Sequence, residues 1–236
     1  MSETITSAPE EVRSRLALAL DVDDLVAALR MARELRPWFG TAKVGLELYS
    51  AVGPDAVSAL VDLGYDVFCD LKLHDIPTTV NRAARVLGSL GASYLTVHAS
   101  GGAAMLRAGV EGLAAGAAGA GLPEPILLGV TVLTSDGAAP PHILPKRVAE
   151  AIEAGCGGIV CAAGDVREAR QYGPRLRVVV PGIRPTGAAA HDQARAATPR
   201  DAIEAGADLL VIGRAVTAAD DPVAAAEAVA AEITGV

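Results

Sequence analysis

The segment FCDLKLHDIP at 68–77 carries three charges close together, Asp70, Lys72 and Asp75. The segment reads as the end of a strand, and residues two apart on a strand share a face. Asp70 and Lys72 therefore project together, while Cys69 and Leu71 point the other way, toward a layer of helices. Taking a carboxylate and an ammonium out of water costs several kcal/mol per ion unless each is paired. A structural ion pair would meet that condition for Asp70 and Lys72, but Asp75 adds a third charge that a simple pair does not need. An ammonium held among carboxylates can transfer a proton and stabilise negative charge that develops beside it.

Such a cluster needs a scaffold, and the rest of the chain supplies a regular one. Short apolar runs alternate with longer Ala-rich helical stretches. Eight runs read as strands: 16–20, 42–46, 66–72, 94–99, 126–133, 158–163, 176–182 and 208–213. Amphipathic stretches such as 23–36, 78–90 and 199–207 lie between them. Gly64, Gly91, Gly155 and Gly206 each stand between a helical stretch and the next strand. Glycine suits the left-handed residue that ends a helix, because it has no Cβ to clash. Helices alternating with strands imply a parallel sheet, and eight strands imply closure. An open doubly wound sheet is the alternative, but it usually carries a glycine-rich loop after its first strand, and LALALDVDD has none. The expected architecture is α/β, a single-domain (β/α)8 TIM barrel over 1–236 with residues 1–15 as an N-terminal extension.

In such a barrel chemistry gathers at the C-terminal ends of the strands. Asp21 ends the first strand, Lys43 lies in the second, and Asp70 and Lys72 end the third. Thr134, Arg184 and Arg214 follow the fifth, seventh and eighth. Each could be a surface charge or hydroxyl on its own; the set gathered at one end is harder to read that way.

Composition narrows the partners. The 236 residues are 51% hydrophobic, enough for a sizeable core, and carry a net charge of -8. Acidic chains are poor partners for nucleic acid, whose phosphates select basic surfaces. A small phosphorylated substrate needs only a local cluster of donors. MSETITSAPEEVRSR lacks the basic start and apolar stretch of a secretory signal, and no apolar run is long enough to span a membrane. Cys69, Cys156 and Cys161 are odd in number and lack metal-type spacing, so reduced thiols and a cytoplasmic location are expected.

The segment DLKLHDIP resembles the D-x-K-x-x-D signature of the orotidine 5'-monophosphate decarboxylase family. LALDVDD (18–24), AKVGLELY (42–49), VVPGIRPTG (179–187) and AGADLLVIGRAV (205–216) are similar to further family segments, in the same order. The resemblance implies a cofactor-free enzyme that converts orotidine 5'-monophosphate to UMP in pyrimidine biosynthesis. It implies an alternating charge array of Lys43, Asp70, Lys72 and Asp75, with Lys72 as proton donor to C6 of the pyrimidine. The flanking groups would orient Lys72, and carboxylates favour its ammonium form. By the same resemblance Asp21, Lys43, Thr79, Thr134, Arg184, Gln193, Gly213 and Arg214 are substrate-binding, with Gly213 and Arg214 at the phosphate. Asp75 and Thr79 would reach the neighbouring site of a homodimer, and 182–193 would form a lid. Thr78 departs from the asparagine of many relatives, at a position outside the charge array.

Two rival readings remain. Metal-dependent relatives such as keto-gulonate phosphate decarboxylase share D-x-K-x-x-D but bind Mg2+ with an acidic residue on the second strand, where this chain has Lys43. A non-catalytic phosphate-binding barrel would need Arg214 but not four interleaved charges. His74, His98, His142 and His191 lack metal-ligand spacing; a structural role is expected for His98, although it ends a strand near the site, and His191 is expected to face solvent from the lid segment.

Overall fold

The computed structural model describes residues 7–133, 139–185 and 197–234. The chain begins with α1 (Glu10–Arg13), β1 (Leu16–Leu20), α2 (Leu25–Leu35), β2 (Thr41–Val44), α3 (Leu46–Val52), α4 (Asp55–Asp62) and β3 (Asp66–Leu73). It continues through α5 (Pro77–Ser89), β4 (Ala92–His98), α6 (Gly102–Gly119), β5 (Ile126–Val130), α7 (Ile143–Ala154), β6 (Gly158–Val160) and α8 (Val166–Tyr172). β7 (Arg177–Val180), α9 (Pro199–Ala205), β8 (Leu209–Ile212), α10 (Arg214–Thr217) and α11 (Pro222–Ile233) complete it. The eight strands pair in sequence order, all parallel, and β8 closes on β1. The expected barrel is formed.

Local chemistry sets the boundaries. Asp24 caps α2 by accepting from the Val26 and Ala27 amides, and Asp221 caps α11 by accepting from Ala224. Pro77 opens α5, where a missing N–H costs nothing. The four glycines between helix and strand all have positive φ, from 79° at Gly64 to 108° at Gly206. Several strands are shorter than their apolar runs, β5 and β6 most of all at the C-terminal end: β5 stops at Val130 and β6 at Val160. Beyond those points Val132, Leu133 and Cys161 line a cavity at the barrel mouth instead of continuing the ladder.

Two apolar layers follow from the pleat. Ala17, Ala19, Phe68, Tyr94, Leu128, Val130, Val160, Val179, Leu209 and Val211 fill the barrel interior. Leu16, Leu18 and Leu20 alternate with the first two and pack outward under the helices. Burying a side chain of this size contributes about 1.5–3 kcal/mol. The residues read as an N-terminal extension take part, because Val12 of α1 is buried in the outer layer. Among the described residues no helix is long and apolar enough to cross a membrane. The buried polar residues among them are Thr41, Lys43, Thr96, Thr131 and Arg184, and three of these flank the site at the C-terminal end.

Candidate active site

The centre of the site is an irregularity in one strand pair. After a first shift between Val67 and Phe68, β3 and β4 pair at Phe68↔Tyr94 and Cys69↔Leu95, shift again, and resume at Leu73↔Val97. Asp70, Leu71 and Lys72 therefore stand opposite Thr96 alone. Bulges of this kind re-aim side chains next to active sites. Lys72 takes φ 47°, the only positive value at a non-glycine among the described residues. Such a conformation costs about 1–3 kcal/mol and persists only where the surroundings hold it.

Two charges on the bulge join two from the ends of β1 and β2 in a row. Lys72 Nζ lies 2.8 Å from Asp70 Oδ1, and Asp70 Oδ2 faces Lys43 Nζ at 3.8 Å. Lys43 Nζ in turn lies 2.9 Å from Asp21 Oδ1. The signs alternate along the row Asp21, Lys43, Asp70, Lys72, so each buried ion has a partner to offset its desolvation. Asp21, expected as a substrate contact, thus also anchors Lys43. Gly45 makes the first pair possible: a Cβ there would come within 2.7 Å of Asp21 Oδ1 and 3.0 Å of Lys43 Nζ.

Two cavities meet at this row. One of about 480 Å3 runs from Asp21, Lys43, Glu47 and Asp70 to Arg184, Gly213 and Arg214. The other, about 140 Å3, is walled by Phe68, Val130, Val132, Leu133, Val160 and Cys161, with Lys72 and Asp70 at its edge. Asp70, Pro181 and Val211 border both. The site is therefore an apolar slot joined to a polar channel, with the charges at the junction. Arg214 opens the short helix α10 directly after Gly213, a common barrel position for phosphate. Arg184 is buried, and its backbone amide donates to Ala197 at 3.0 Å.

Comparison with known proteins shows the family. The model of the Orotidine 5'-phosphate decarboxylase / HUMPS family matches residues 14–229. The chain belongs to this family. It is 50% identical over 228 residues to the orotidine 5'-phosphate decarboxylase of Anaeromyxobacter sp. (strain K), covering 92% of this chain and 97% of that relative. It is 44% identical over 233 residues to that of Moorella thermoacetica, covering 94% and 92%. The crystal structure of orotidine 5'-phosphate decarboxylase from Lactobacillus acidophilus matches with a TM-score of 0.77 at 34% identity, over 94% of this chain and 99% of that one.

Not every residue that the family resemblance singled out joins the row. Asp75 is exposed, and its Oδ1 accepts from the Ile76 amide at 2.7 Å. Thr79 is exposed on the first turn of α5. Both stand on the surface of the chain, and neither lines the two cavities. Thr134 and Gln193, with His191, lie outside the described residues. His98 lies near the array, and its pKa falls below the ordinary 6.5 through burial first, then through His74, Lys72 and Arg147, against the pull of Asp70. It is therefore neutral at pH 7. Burial raises the thiols of Cys69 and Cys161 to about 12, so neither is a thiolate nucleophile.

Sequence reasoning missed several parts of this family site. Thr96 alternates with Tyr94 and His98 along β4, and a hydroxyl in an apolar run was a legible signal. Gly45 follows Lys43 at the strand end, and glycine there marks a close approach. The slot residues Val130, Val132 and Val160 gave no signal, because their types do not differ from those of any core strand.

Proposed function

We propose that the chain decarboxylates orotidine 5'-monophosphate to UMP without a cofactor, the last step of making a pyrimidine nucleotide in the cytoplasm. The observation that carries this reading is the Lys72 ammonium, fixed by Asp70 at the edge of an apolar slot and joined to a channel that ends at Arg214. The slot suits the flat pyrimidine and the channel the ribose and phosphate. An arginine fork matches phosphate oxygens, and Gly213 lets the backbone approach them.

Breaking the bond between C6 and the carboxyl carbon leaves an electron pair on C6 with no ring position to delocalise it. Lys72 stabilises that pair as it forms and transfers a proton to C6, and the neutral amine then takes a proton from water. Lys43 and Asp70 hold the ammonium in place. Because they are positioned before the reaction, little reorganisation is needed at the moment of charge development. Asp21 and Arg184 contact substrate along the channel, and Thr134 and Gln193 complete its binding. Asp75 and Thr79 reach the neighbouring site of a homodimer, which accounts for their exposure within one chain.

Lys43 also weighs against a metal-dependent reaction. Its ammonium stands between Asp21 and Asp70, where a divalent ion would have to bind, and two cations there repel each other. The purified protein is therefore expected to remove the absorbance of orotidine 5'-monophosphate at an undiminished rate in EDTA. Loss of turnover in the chelator, restored by Mg2+, would overturn the reading.

A further inference from the structure

We infer that Thr96 is a positioning residue for the reaction, acting through Asp70 and Lys72; the inference rests on the decarboxylase reading above. Thr96 is fully buried and lines neither cavity, so it does not touch substrate. It is the one β4 residue opposite the three-residue bulge that carries both charges. Its hydroxyl does two things there, beside a longer approach of 3.5 Å to the Cys69 carbonyl oxygen, which is the poorer acceptor for its one proton. Oγ1 accepts the Lys72 backbone N–H at 2.9 Å, taking the place of the ladder bond that the bulge removes. It also donates to Asp70 Oδ1 at 3.0 Å.

A hydroxyl has one proton and two lone pairs, so both bonds can form at once. The Asp70 oxygen it meets is the same one that holds Lys72 Nζ at 2.8 Å. Rotation of that carboxylate decides which oxygen faces Lys72 and which faces Lys43. One side chain thus fixes the left-handed backbone of the proposed proton donor and the carboxylate that aims its ammonium. Removing the hydroxyl leaves the Lys72 amide without its acceptor and frees Asp70 to turn.

The test compares Thr96→Val, which keeps the shape, with Thr96→Ser, which keeps the hydroxyl. The valine variant is expected to lose roughly 10²-fold in kcat, the scale of a misplaced reacting group. Its KM and its affinity for UMP should change little, because position 96 lines neither cavity. The serine variant should retain most of kcat. Amide hydrogen exchange at Lys72 should be slow in the wild type and the serine variant and faster in the valine variant. Thr96→Ala, which removes the hydroxyl without adding bulk, serves with the same expectations if the valine variant does not fold.

Wild-type kcat in the valine or alanine variant would overturn the inference. So would a serine variant as impaired as they are, or a loss confined to KM. If the wild type does not consume orotidine 5'-monophosphate, the decarboxylase reading fails instead. Exchange at Lys72 still decides the role of Thr96 in that case, and equal rates in the wild type and the valine variant would refute it.

Discussion

At the scale of single residues the site depends on absent atoms as much as on charges. The contacts a Cβ would make at Gly45 are both with the ends of flexible side chains, Asp21 Oδ1 and Lys43 Nζ. Those ends can move aside without disturbing the barrel. Gly45→Ala is therefore expected to fold normally, with a wild-type melting curve, yet to lose on the order of 10²-fold in kcat as Lys43 leaves its place. A variant with wild-type turnover would show that the pairing of Lys43 with Asp21 does not matter to the chemistry. The same scale shows what was legible and what was not. Residue types identified Asp70 and Lys72 as a same-face pair, and their ion pair at 2.8 Å agrees. They did not reveal that the shared face arises at a bulge with Lys72 at φ 47°, because β-strand periodicity assumes an unbroken ladder.

At the scale of elements the alternation of strand and helix was readable because glycine marks the junctions. What the pattern could not show is how closely neighbouring helices pack. Gly112 and Gly116 of α6 face α5 so closely that a Cβ would overlap the carbonyl oxygens of Asn81 and Arg85. Those oxygens belong to backbone, so the helices must separate to admit a methyl group. Within the Ala-rich run GGAAMLRAGVEGLAAGAAGAG these glycines looked like their neighbours, and only the helix crossing distinguishes them. Overpacking of this kind costs about 1–3 kcal/mol. Gly116→Ala should accordingly lower Tm by roughly 2–12 °C for a chain of this size, measured by thermal unfolding. An unchanged Tm would mean that α6 can shift freely. Because α5 follows directly on Asp75, a displaced α5 should also move the exposed residues at its start.

For the whole molecule, a net charge of -8 and a local concentration of cations at one barrel mouth are compatible, since the channel proposed to hold the phosphate needs only Arg184 and Arg214. The chain's own row of charges omits Asp75, and the proposed homodimer supplies it from the neighbour. Mixing Lys72→Ala with Asp75→Asn tests this directly. Each variant alone should be nearly inactive. Random exchange of subunits should restore roughly a quarter of the wild-type activity, because half the dimers are mixed and each of those holds one intact site. If Asp75 serves its own chain, no mixture regains activity. This arrangement was open to the sequence only through the family resemblance, since no single-chain pattern reveals which residues cross an interface.

The most direct measurement is the turnover of orotidine 5'-monophosphate by Lys72→Ala, set beside its affinity for UMP. Losing both the fixed charge and the proton donor should lower kcat by at least about 10³-fold, while UMP still binds through Arg214 and the apolar slot. Turnover close to that of the wild type would contradict the assignment of Lys72, and with it the account of how the row of charges works.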